Sequence, residues 1–132
     1  MTKMDNRTKD YEIYFCNMAE ICRDSAKNVF GINLNYDEES VYLLDKIISE
    51  AWPNGTNGDL EKLCHIWGSY LGECIRRIHN GKWIHAESRW WGVQVKNVVF
   101  HVFNKIEKRF INGMSDSISF SYDAFLTACK IK

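Results

Sequence analysis

Apolar positions recur at three- and four-residue spacing along most of this chain and give way to alternation over one short stretch, residues 82–95. From about Asp10 to Val29, Ile13, Cys16, Met18 or Ala19, Cys22 and Ala26 fall on one helical face, which predicts an amphipathic helix ending at Phe30-Gly31. Asn35 with Glu38 three residues later has the spacing of a capping box, so a second helix is expected there. Its buried face is marked by Val41, Leu44, Ile47, Ile48 and Ala51, and Pro53 stops it. "PNGTNGDL" then reads as a connector, because Gly55 and Gly58 each follow an asparagine and both residue types tolerate positive φ. The third helix has the strongest pattern: Asp59 caps it, and Leu60, Leu63, Cys64, Trp67, Tyr70, Leu71, Cys74, Ile75 and Ile78 share a broad face. Gly68 and Gly72 lie one turn apart at the edge of that face. An interior helical glycine costs about 1 kcal/mol relative to alanine, so the pair predicts close approach by another element. Lys62, Ser69, Glu73, Arg76 and Arg77 read as a solvated stripe, with Glu73 and Arg77 as an i,i+4 pair.

Asn80-Gly81 predicts the end of the third helix, with the glycine in the left-handed conformation. "KWIHA" and "WGVQV" alternate on either side of "ESR", which predicts an antiparallel hairpin. Trp83 and His85 share one side and Ile84 and Ala86 the other, while Trp91, Val93 and Val95 align. Alternation sends Trp90 and Trp91 to opposite faces, so Trp83, Trp90 and Trp91 cannot all enter one core. After Asn97, the spacing of Val99, Val102, Phe103, Ile106 and Phe110 predicts a helix closed by Asn112-Gly113. The last segment reads two ways, as a strand over the alternating "SISFSY" or as a helix opened by Asp116 with Ile118, Tyr122, Phe125, Leu126 and Cys129 facing inward. Its length favours the helix. The expected fold class is therefore α+β, with four to five helices packed on a small antiparallel hairpin or sheet in a single globular domain over residues 1–132.

Composition narrows the function. At 45% hydrophobic and 14% aromatic, with one proline, the chain can build a real core. Seventeen basic residues balance seventeen acidic ones, so no net field draws nucleic acid or an anionic membrane. Lys82, Arg89, Lys96, Lys105, Lys108 and Arg109 could supply a basic groove locally, which keeps nucleic-acid binding as a minor rival. No run approaches the roughly 18 apolar residues of a membrane span, and the N-terminus has no apolar signal region, so a cytoplasmic location is expected. The five cysteines, Cys16, Cys22, Cys64, Cys74 and Cys129, are odd in number and form no CxxC pair, as expected of reduced thiols. Cys74, His79 and His85 match no zinc spacing and lack a fourth ligand, so neither metal nor cofactor is expected.

The order "WGSYLGECIRRIHNGKW", a hydrophobic β segment and then "VFNKIEKRFINGMSDSISFSY" resembles a group of small bacterial domains of unknown function with a glycine-bearing helix, a Gly-x-Trp turn and a closing Asn-Gly helix stop. The resemblance covers about residues 60–122, rests on helix caps and core positions, and carries over no catalytic residue. Single-domain bacterial chains of this size also resemble immunity proteins of polymorphic toxin systems, by context alone.

An enzyme needs a nucleophile with a base, paired carboxylates or a metal. The candidates are His65 with Glu73 or Arg76, and Cys74 with His79; His65 and Glu73 are eight helical residues apart, about 12 Å by helical rise, and do not meet. A non-catalytic protein-binding module fits better, with an immunity protein that occludes a cognate toxin as its concrete form. Trp83, Trp90 and Trp91 are then the partner-binding residues, with Glu87 and Arg89 at the rim. The alternatives are a small-molecule-binding or enzymatic domain, or a structural or oligomerising protein whose aromatic cluster is simply core.

Overall fold

A computed structural model describes residues 3–56, 58–85 and 91–131, with side chains described from Lys9 onward. The elements run α1 (Lys3–Phe30), α2 (Glu38–Ala51), α3 (Leu60–His79), β1 (Lys82–His85), β2 (Trp91–Val95), β3 (Val98–Phe100), α4 (Val102–Asn112), a 3-10 turn (Gly113–Asp116) and α5 (Ile118–Ala128). The three strands form one antiparallel sheet in the order β1-β2-β3. The fold class is α+β, as the hydrophobic pattern predicts.

α3 is the centre of the fold. Its apolar face meets α4 and the sheet, and α1 lies along its other side. Both interior glycines are explained by rings. A Cβ on Gly72 would sit 2.0 Å from the Trp83 indole, and one on Gly68 would sit 2.4 Å from the Phe103 ring. The backbone of α3 is thus the surface on which two aromatic side chains lie, and the absent side chains make room for them.

The sheet lays one face on the helices. Trp83 stands opposite Val93 and His85 opposite Trp91, so these four residues share a face as the alternation implies. Trp83, Val93, Val95 and Phe100 are buried there, whereas Lys82 and Gln94 on the other face are at least partly exposed. At the far end of the core Asp45 of α2 receives Arg109 Nε at 2.8 Å and the Ile118 and Ser119 amides at 3.0 and 2.8 Å. One buried carboxylate thereby ties α2 to α4 and satisfies the first turn of α5, whose own amides have no intrahelical acceptor.

Several local expectations are corrected. Phe15, not Ile13, takes the core position of α1; Ile13 is 61% exposed. Asp37, not Asn35, caps α2, accepting the Ser40 amide at 2.8 Å. Asn80 itself adopts the left-handed conformation at the end of α3 (φ 55°). Gly81 is needed for another reason: a Cβ there would lie 2.8 Å from the Val93 side chain and 3.0 Å from the Gln94 carbonyl oxygen. Val99 belongs to a third strand and not to α4, because the two-residue turn Lys96-Asn97 folds the chain straight back onto β2. The helical reading of the last segment holds, with Ser117 and not Asp116 as its cap.

The largest correction concerns the stripe expected in solvent. Ser69 and Glu73 are both fully buried, because α1 covers that side of α3. Helical spacing places residues on faces but does not say how many faces are covered.

Candidate functional site

Three aromatic rings build a floor over the glycines of α3. Phe15, Trp83 and Phe103 stand with ring centroids 4.1, 5.4 and 5.9 Å apart, near-parallel in the Trp83–Phe103 pair. Trp83 is anchored from below by Glu73. Its carboxylate accepts the Trp83 indole N–H at 2.8 Å, Arg76 at 2.8 and 2.9 Å, and Arg77 Nε at 3.1 Å. The Cys16 thiol adds a fourth donor residue at 3.2 Å. Burial pushes the Glu73 carboxyl up, but hydrogen bonds from Arg76, Trp83 and Cys16 overcome it and hold the group at about 2. A buried charge of this kind is tolerated because every lone-pair direction is used.

Above this floor a groove opens between α1, the start of α3 and the β1–β2 end of the sheet. It encloses about 230 Å³ and is lined by Tyr11, Tyr14, Phe15, His65, His85, Trp91 and Phe103. Tyr11 packs on Trp91 at 4.6 Å between centroids, and His85 faces the same indole at 5.1 Å. Across the groove the Tyr14 hydroxyl shares a hydrogen bond of 2.9 Å with His65 Nδ1. Tyr11 and Tyr14 are 42% and 40% exposed. Among the described residues no lysine, arginine, aspartate or glutamate lines the groove. Its chemistry is therefore aromatic contact with a few neutral donors and acceptors.

The residues expected at a partner surface separate. Trp83 is 1% exposed and belongs to the core, so its assignment as a partner-binding residue is corrected: it supports the groove from beneath. Trp91 is half-buried and lines the groove. Trp90, Glu87 and Arg89 lie outside the described residues. Spacing alone missed Tyr11 and Tyr14. They stand three apart on α1, beyond the edge of the stripe that carries Phe15, Ala19 and Cys22, and a second aromatic pair outside the core stripe was the only available signal.

The catalytic pairs weighed from sequence have other partners. His65 meets Tyr14, Glu73 is enclosed by Trp83 and the two arginines, and His79 meets the Tyr122 hydroxyl at 2.6 Å, which in turn donates to Glu38 at 2.8 Å. Cys74 is buried, and burial pushes its thiol up to about 12. Cys16 is likewise raised, by burial first and then by the Glu73 carboxylate that accepts its hydrogen bond, the opposite of what a thiolate nucleophile requires. Among the described residues no three His, Cys, Asp or Glu side chains come together as a metal site, and no helix is long and apolar enough to cross a membrane. No family model, no curated protein and no solved structure matches the chain.

Proposed function

We propose that this chain is a non-catalytic protein-binding module that seats part of a partner protein in the Tyr11–Tyr14–Trp91 groove, and that its role is of the immunity type, covering the working surface of a cognate bacterial toxin. The observation that carries the reading is the exposure of Tyr11 and Tyr14 beside the half-buried Trp91 on a rigid helix–sheet frame. Rigid aromatic side chains bury a large area while freezing few rotors, which is why they anchor interfaces. The floor beneath them is preorganised by Glu73, so little ordering remains to be done on binding. At about 230 Å³ the groove falls below the roughly 300–1,000 Å³ of small-molecule sites, and a protruding side chain of a partner suits it better. Glu87, Arg89 and Trp90 join the groove residues His85 and Trp91 in sequence, which keeps them as candidates for the rim.

The test pairs this chain with the protein encoded immediately upstream of it. That product is expected to arrest growth of a bacterial host, and co-expression of this chain is expected to relieve the arrest. Tyr14→Ala combined with Trp91→Ala should weaken association about tenfold or more, while the variant still unfolds cooperatively. A harmless upstream product overturns the immunity role. Undiminished association of the double variant overturns the groove as its seat.

A further inference from the structure

A second groove lies at the β3 edge of the sheet, between β3 and α5. It encloses about 320 Å³, with Val98, Val99 and Phe100 on one wall and Phe120, Ala124 and Phe125 of α5 on the other. Residues from both faces of β3 line it: Val98 and Phe100 point to the core side, and Val99 to the opposite side, where it packs over Gly92. A groove touched by both faces of a strand runs along that strand's edge. β3 is the last strand of the sheet, and its other neighbour is β2.

The ladder fixes which backbone groups face this groove. Val95 and Val98 flank a two-residue turn and pair with each other, as do Val93 and Phe100, whereas Val99 stands opposite Gln94 between these pairs. In an antiparallel ladder the intervening residue turns its N–H and C=O away from the partner strand. The Val99 amide and carbonyl therefore point away from β2, to the open edge of the sheet, and Val99 lines the groove. An edge of this kind is a template for another strand.

α5 has an unusual outer surface. Phe120 is 74% exposed, Ala124, Thr127 and Ala128 are exposed with it, and Asp123 is the helix's one charged residue. The small side chain of Ala124 keeps the groove open, and Phe120 stands at its lip. Lys105 is the one charged residue among the described lining, and it is basic.

We propose that this groove takes an extended peptide segment of a partner, added as a fourth strand on β3, with apolar side chains entering toward Ala124 and Phe125 and an acidic group against Lys105. Main-chain pairing with Val99 supplies sequence-independent affinity, and the groove and the lysine supply selectivity, as in other strand-addition sites held between a sheet edge and a helix. The site is separate from the Tyr11–Trp91 groove, and neither reading depends on the other.

The test is selection of a displayed library of random nonapeptides on the full chain. Enriched peptides are expected to alternate β-branched or aromatic residues with Asp or Glu. Bound to the chain, a synthetic copy of the best one should slow hydrogen exchange at the Val99 amide about tenfold or more and shift the signals of Lys105 and Ala124. Ala124→Trp, which fills the groove from an exposed helical position, should weaken binding about tenfold or more, and Lys105→Glu should weaken it several-fold and abolish its salt dependence. Selection yielding no binder, a basic consensus, or binding indifferent to Ala124→Trp overturns the proposal. So does protection of the Val99 amide in a dimer of the chain alone, which would make a second copy the occupant.

Discussion

Replacing Glu73 by glutamine tests the most unexpected feature of the fold with the smallest change of shape. The amide keeps one oxygen for the Trp83 indole, but it loses the charge and turns an NH₂ group toward donors from Arg76, Arg77 or Cys16. Removing one partner of a fully buried ion pair costs about 3–5 kcal/mol. Here the carboxylate is fully buried while the two guanidinium groups are 34% and 37% exposed and can turn to water, so the loss should fall lower, at about 2–3 kcal/mol. Proton linkage gives a second route to the same figure. A carboxyl held at about 2 in the fold, against an ordinary 4.5, contributes roughly 3 kcal/mol at neutral pH. Because the folded value is depressed, that contribution is complete above pH 4.5 and is lost as pH falls toward 2. Urea and thermal unfolding of wild type and Glu73→Gln at pH 7 should therefore differ by about 2–3 kcal/mol, or about 6–15 °C in Tm for a chain of this size. The gap should narrow steadily between pH 4.5 and pH 2. A difference below about 0.5 kcal/mol at pH 7, or one that persists undiminished at the acid end, would refute the argument that this carboxylate is ionised and holds the floor of the groove.

Further expectations concern the neighbours of that carboxylate. Gly72→Ala and Gly68→Ala place a methyl group 2.0 Å from Trp83 and 2.4 Å from Phe103, and each should cost about 1–3 kcal/mol in urea unfolding. Gly58→Ala, where the nearest atom is 3.5 Å away, should stay within about 0.5 kcal/mol, and a wild-type midpoint for Gly72→Ala would contradict the ring-on-backbone packing. Trp83→Ala should cost about 3–5 kcal/mol, whereas Trp91→Ala should cost clearly less and should lower the acrylamide quenching of the remaining fluorescence pattern; equal losses at both sites would place Trp91 in the core. The five cysteines are free, and burial pushes Cys64 and Cys74 up to about 12. A disulfide-exchange reagent at neutral pH should thus modify the native protein slowly and five thiols promptly after denaturation, and recovery of fewer than five would show that bridges had formed.

The sequence by itself determined the elements wherever one face of a segment is apolar and the other is not. α2 and α3, the hairpin of β1 and β2, and the Asn-Gly helix ends follow from spacing and turn chemistry, which act within a few residues. The two glycines of α3 even announced a close approach, without naming Trp83 and Phe103 as what approaches. Tertiary structure decided what depends on a third partner. Glu73 looks like a surface residue of an ion pair until α1 covers it, because a carboxylate becomes buriable only when donors surround it, here from α1 and β1 as well as from its own helix. Val99 fits a helical face equally well in the sequence, and only the turn at Lys96 and Asn97 commits it to the edge of the sheet. The aromatic groove was half legible: alternation placed Trp91 apart from Trp90, but Tyr11 and Tyr14 acquire their place only when α1 lies beside the strand that carries Trp91. Local periodicity assigns a residue to a face, and packing alone settles whether that face meets water, another helix or the rim of a groove.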